Sequence, residues 1–216
     1  MKTLNDHFSK LYCINLDTRP DRFTLATEEF KNLNIDVERV SGIVGKAHGL
    51  LLTHIEILMD AINKKYESIL IFEDDVTFID GFNEKFNAKI LFLPDDWDLL
   101  YIGGNNVFAR GKFDLITGNK NFVPTLDNYR TLNYEISKTT WTQCAHALAI
   151  NSKFFETLLN EINNNKNIPV DTIHCRLQQG GCNAYSFLPG LALQRPSYSD
   201  IENSFVDYEK NNANGF

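Results

Sequence analysis

Cysteine is scarce and unpatterned. Cys13, Cys144, Cys175 and Cys182 are spread over 216 positions. None forms Cys-x-x-Cys, so the sequence offers neither a zinc-ligand pair nor a redox motif. Cys13 and Cys144 sit in apolar, strand-like runs and are expected to be buried thiols. Basic charge is also short: 21 Lys and Arg stand against 28 Asp and Glu, a net charge of −7. That argues against nucleic acid or an anionic membrane as the main partner. It leaves room for a nucleotide whose phosphates a metal bridges. No apolar run approaches the length of a membrane span, and no signal-like segment opens the chain. A cytoplasmic protein in a reducing compartment is expected. There is no internal repeat.

What the chain does have is alternation. Its length suits one core, hence a single domain over 1–216, with a polar, frayed tail from about 205 to 216. Strands are expected over Lys10–Leu16, Val37–Ile43, Ser68–Phe72 and Asp98–Ile102, the last closed by Gly103-Gly104. Helices are expected over Phe23–Leu33, Ala47–Lys65 and Gly81–Leu93. The second helix carries a buried stripe at Leu51, Ile55, Leu58 and Ile62. This order predicts an α/β fold with a mostly parallel sheet covered by helices on both faces. From Asn105 to Thr140 periodicity fades into loops, with short antiparallel strands expected at Phe122–Val123 and Tyr129–Ile136. A strand (Gln143–Ile150) and a helix (Ser152–Ile162) follow. Pro169 opens a further helix that Gly180-Gly181 ends. Tyr185–Leu188 and Leu191–Gln194 read as short strands.

The most informative stretch is Ile69-Leu70-Ile71-Phe72-Glu73-Asp74-Asp75. A buried strand ends in three consecutive carboxylates, which is costly unless a positive group sits there. Ligands of open α/β sheets bind at the carboxyl ends of strands, and a divalent cation bridging to phosphate would neutralise the acids. If the extended geometry persists, Glu73 and Asp75 share one side and Asp74 takes the other. The alternative is a solvated acidic turn. Arg19 and Arg22, after the first strand, suit a diphosphate, or form an ordinary basic turn with Asp21. His54 lies beside the apolar stripe, either in the core or, with Thr53, facing a ligand. Asp171 and His174 lie one helical turn apart and could serve as a general base and its partner. Alternatively, Asp171 only stabilises the helix dipole, in its ionised form. Ser199 and Asp200 close over phosphates or cap a helix. His146 reads as a core histidine. Trp97, Trp141, Tyr101 and Tyr198 either stack on sugar or fill the core.

Several of these segments together resemble glycosyltransferase family 25, the lipooligosaccharide and collagen-type β-galactosyltransferase group. They are Cys13–Arg22, Leu52–Ile55, Ile69–Val76, Trp97–Gly103, Ala145–Ile150, Pro169–Asp171 and Ser199–Ile201, in the family's order over nearly the whole chain. The resemblance implies a GT-A-like fold, with about 1–104 as the nucleotide-binding half and 105–204 as an acceptor-side half containing the short antiparallel region. It implies inverting transfer of a hexose, most often galactose from UDP-galactose, to a glycan hydroxyl, as in lipopolysaccharide biosynthesis. It also implies a divalent metal, usually manganese. Glu73 and Asp75 would stand at the metal positions. Asn15, Arg19 and Arg22 would face the nucleotide, with Thr53, His54, Asp74, Ser199 and Asp200 around the donor. Asp171 would lie in the acceptor-side pocket with His174 beside it. Thr53 replaces a usual serine and His146 a common tyrosine. Two other readings remain open. One is a metal-dependent phosphohydrolase, although Glu73 stands where such a motif needs a nucleophilic Asp. The other is an inactive nucleotide-sugar or glycan-binding module.

Overall fold

The computed structural model of the protein describes residues 2–106, 129–131 and 136–207. The expected strand at Phe122–Val123 and the tail beyond 207 lie outside them, whereas the first residues of the expected frayed tail, 205–206, are in a short strand. Strands β1 (Lys10–Asn15), β2 (Glu38–Ser41) and β3 (Ser68–Glu73) form a parallel group with β1 in the middle. Helices α1 (Pro20–Asn32) and α2 (Lys46–Lys64) connect them. The strands β4 (Val76–Phe78) and β5 (Leu99–Asn106) follow, separated by α3 (Phe82–Ile90). Next come β6 (Tyr129–Thr131), β7 (Ile136–Thr139), β8 (Thr142–Asn151), α4 (Ser152–Asn164) and α5 (Val170–Gln179). The last strands are β9 (Ala184–Phe187), β10 (Ala192–Gln194), β11 (Ser197–Ser199) and β12 (Ser204–Val206).

The main sheet runs β2-β1-β3-β8-β5-β9-β7-β6, and β10-β4 and β11-β12 form separate antiparallel pairs. The sheet is mixed and largely parallel. The antiparallel element falls in the acceptor-side half, as expected, but it reaches the middle of the sheet, where β8 runs antiparallel between β3 and β5. Its apolar run Ala145–Ile150 is buried almost throughout, which suits a central strand. Alternation along β3 sends Leu70 and Phe72 to one face, with Phe30, Phe82 and Phe86. Ile69 and Ile71 go to the other, with Leu51, Leu58, Phe155 and Leu158. Helices α1 and α3 thus cover one face, and α2, α4 and α5 the other.

Several boundaries differ from expectation. α1 begins at Pro20 rather than Phe23, since proline at the first helical position loses no hydrogen bond. On α2, Ile57 and Ala61 are buried with Leu51 and Leu58, whereas Ile55 and Ile62 are only packed at the margin. Gly103-Gly104 does not close β5. The strand continues to Asn106 through irregular pairing with β8. A Cβ on Gly103 would stand 2.3 Å from the Ala192 carbonyl, so glycine there permits close approach of β10. Cys13 is buried, but Cys144 is only half-buried and takes a left-handed φ of 60°.

Candidate functional site

The carboxyl ends of β1, β2 and β3 open into a cavity of about 390 Å³. Its walls come from Asn15 at the end of β1, the Gly42–Lys46 loop after β2, and Glu73–Asp75 after β3. Arg22 of α1, Thr53 of α2 and Ser199–Ile201 of the β11–β12 turn complete them.

Extended geometry stops at Glu73, so the expected split of Glu73 and Asp75 from Asp74 does not hold. Asp74 and Asp75 lie in a turn and share one guanidinium. Arg22 Nη2 is 2.6 Å from Asp74 Oδ1 and 3.0 Å from Asp75 Oδ2. Asn15, buried at the end of β1, donates from Nδ2 to Asp74 Oδ2 (2.7 Å) and to the Arg19 carbonyl (2.8 Å). Its Oδ1 accepts from Arg39 Nε. The Glu73 carboxylate makes no hydrogen bond or ion pair among the described residues, although its backbone pairs with β1, and Asp75 Oδ1 is buried without a hydrogen-bond partner. Burial first, then Asp75 and Asp74, push the Glu73 carboxyl up to about 8, and Asp171 adds to this against Arg22. Burial also raises Asp74 and Asp75, opposed by Arg22. Unit charges about 4 Å apart interact by about 4 kcal/mol at an effective dielectric near 20. One arginine therefore does not balance the group, and the site favours a further cation or bound protons.

The other expected residues divide. Thr53 reaches the wall, but its hydroxyl donates to the Gly49 carbonyl (3.0 Å) and accepts from the Ile43 N–H (2.9 Å). It holds the loop rather than presenting a donor group. Arg19 does not line the cavity; it pairs with Asp21 and with Asp200 at 2.6 Å. Ser199 and Asp200 line the cavity from a hairpin turn, not a helix cap, with Ser199 Oγ accepting from the Glu202 N–H. His54 is not in the wall. It is buried against His174 of α5, ring centroids 5.9 Å apart, and no nitrogen of either ring has a hydrogen-bond partner. Burial lowers both, to about 4 for His54 and about 3 for His174, so both are neutral. Neither Asp171 nor His174 lines the cavity, although Asp171 is close enough to Glu73 to raise it. Its Oδ1 accepts from the Thr172 N–H. Burial raises its pKa, the reverse of the effect expected from the helix dipole.

His146 is a core histidine, bonded to the Ala192 carbonyl at 3.1 Å. Tyr101 and Trp141 are buried and Trp97 packs on the core, whereas Tyr198 is exposed near the cavity. The sequence shows a loop at Gly42–Gly45 after the second strand but does not mark it as part of the site, where it forms a wall. Its signal was the spacing of Gly42, Gly45 and Gly49: a Cβ on Gly49 would lie 2.0 Å from the Ile43 carbonyl. Gln194, beside Asp75, is likewise not marked.

Among the described residues no group of three or more His, Cys, Asp or Glu side chains is arranged to hold a metal. A looser fit remains: Glu73 and the unspent Asp75 oxygen suit a hard cation that takes its other ligands from phosphate and water. Among the described residues no helix is long and apolar enough to cross a membrane.

No family model matches the chain. It is similar to human procollagen galactosyltransferase 2, 25% identical over 167 residues, covering 60% of this chain and 26% of that protein. A glycosyltransferase 25 family member of Aedes aegypti is 26% identical over 165 residues, covering 60% and 26%. The chain spans about a quarter of the length of these curated relatives. Among solved structures, a glycosyltransferase involved in glycosylation of the major capsid of PBCV-1 gives a TM-score of 0.44 at 9% identity, covering 74% of this chain and 67% of that one. At that level the likeness says nothing of function.

Proposed function

We propose that this chain, related in sequence to the glycosyltransferase 25 proteins, is a GT-A-like, metal-dependent, inverting hexosyltransferase. It moves galactose from UDP-galactose to a hydroxyl of a glycan or glycoconjugate. The observation that carries the reading is the acidic turn Glu73-Asp74-Asp75, opening with Arg22 into the cavity at the strand ends. Glu73 and Asp75 hold manganese, which when bound supplies Lewis-acid stabilisation of the departing diphosphate. Arg22 offers fixed positive charge beside the same oxygens. Asn15 positions Asp74 and the backbone ahead of α1. The Gly42–Lys46 loop and Leu16, Leu50 and Ile201 give the cavity an apolar side that suits a nucleobase. Asp171 takes the proton from the acceptor hydroxyl, and its raised pKa brings it nearer the working pH of a general base. His174 and His54 pack α5 against α2 and so set the place of Asp171.

Calorimetry tests the reading. UDP should bind, more tightly with manganese. Manganese and UDP-galactose together should raise the melting temperature more than either alone, because a ligand of the folded state stabilises it by mass action. Slow manganese-dependent hydrolysis of UDP-galactose is the matching activity. Turnover of an aryl phosphate instead would mark a phosphohydrolase, and binding without turnover an inactive module. Absence of UDP binding with and without manganese removes the donor assignment.

A further inference from the structure

Arg19 sits at the N-cap of α1, beside the cavity, where it would be well placed to meet an anion. It is already engaged. Its Nη1 is 2.6 Å from Asp200 Oδ2, and its Nε and Nη2 bond to Asp21. The same Asp200 oxygen is 4.0 Å from Arg22 Nη1, which donates to the Tyr198 carbonyl at 3.4 Å. Asp200 stands at the turn between β11 and β12, strands that pair only with each other among the described residues. Polar contacts from Arg19 and Arg22 therefore help hold this hairpin against the cavity that Ser199, Asp200 and Ile201 line. Arg22 Nε is buried without a hydrogen-bond partner, so one guanidinium N–H beside the acids is unspent.

A carboxylate from a self-paired hairpin thus lies against two guanidinium groups at the edge of a cavity. A diphosphate carries more negative charge than a carboxylate, offers more acceptor oxygens, and matches guanidinium groups with parallel bonds. Resting on the reading of a nucleotide-diphosphate donor, we propose that Asp200 is a built-in competitor for that donor. Binding exchanges the Asp200 carboxylate for diphosphate oxygens on Arg19 and Arg22 and releases the turn Asp200–Asn203 from the cavity. Asp200 is then a positioning residue that never touches the donor, and the hairpin is latched by the groups that bind it. The exchange is cheap because the Asp200 side chain is 39% exposed, and pairs that meet solvent contribute little.

UDP calorimetry on the full chain, in manganese, tests this with wild type, Asp200→Asn and Asp17→Asn. Asp17 lies near the same edge but pairs with Arg39, so its substitution removes the same charge without touching Arg19. Asp200→Asn should bind UDP roughly two- to fivefold more tightly, the range open to an exposed pair. Asp17→Asn should bind as wild type does. Amide exchange over 200–206 should quicken when UDP is added to wild type, and should already be quick in Asp200→Asn without it. Equal or weaker UDP binding by Asp200→Asn overturns the competitor while the donor reading stands. Equal tightening by Asp17→Asn does the same, because net charge then suffices. No UDP binding by any of the three proteins takes down the donor reading and the competitor together.

Discussion

Two effects oppose each other at the Asp171 carboxylate. Near the start of α5 the helix dipole favours its charge, by at most about 1–2 kcal/mol. Burial disfavours that charge and wins, so the acid is raised. Pro169 is the N-cap, so Asp171 is not the cap. Asp171→Asn should therefore cost little stability, while lowering transfer by roughly 10²–10⁴ if it takes the acceptor proton. Rate, UDP affinity and melting temperature measured on this one variant decide it: a near-normal rate retires Asp171 as the base. Residue identity was legible in the sequence wherever chemistry forced it. Three adjacent acids after an apolar strand demanded a cation, and Arg22 is there. What each group spends its hydrogen bonds on was not legible. Thr53 and Arg19 have the right chemistry for a ligand, but one is taken by the Gly42–Lys46 loop and the other by acids 2 and 181 residues away.

The cavity wall depends on how closely α2 approaches the loop before it. Gly45 has φ 153° and Lys46 φ 54°, and Gly49 faces the Ile43 carbonyl with no room for a Cβ. Gly49→Ala must push backbone against backbone, which should destabilise by about 1–3 kcal/mol or more. It should also weaken UDP binding, because the displaced loop is a cavity wall. Chemical denaturation and calorimetry check both, and a variant with wild-type stability and affinity would show that the loop yields freely. Strands and helices themselves were largely readable, because alternation along β3 and the apolar stripes of α1, α2 and α4 reflect real faces. The direction of β8 was not. An apolar central strand looks the same whether it runs parallel or antiparallel, and only the path of the chain decides.

Stability against pH integrates the buried groups. Folded His54, His146 and His174 are lowered to about 4, 4 and 3, so they contribute stability above about 6.5 that is lost as pH falls toward those values. Glu73 acts in the opposite sense. Raised to about 8, it holds its proton longer folded than unfolded, so its contribution is lost as pH rises from about 4.5 to about 8. Above about 7.5 these histidines are neutral in both states and Glu73 alone of the four still titrates. The melting temperature of the ligand-free protein should fall between about pH 7.5 and 8.5, and Glu73→Gln should remove that decline. A decline that survives the substitution would place its origin elsewhere. His174→Phe should lessen the loss on the acid side, measured in the same series.

The position of β8 also bears on how the chain is made. When residue 106 has emerged, β1, β3 and β5 have all been synthesised, yet the strand that joins β3 to β5 is still to come. Until residue 151 follows, β3 and β5 each carry an open apolar edge, the kind that pairs with whatever strand is nearest. The acidic turn that ends β3 adds repulsive charge beside one of those edges during this interval. Charge flanking an apolar strand disfavours pairing with a neighbouring chain, and the carboxylates at the end of β3 stand where that effect would act before β8 arrives.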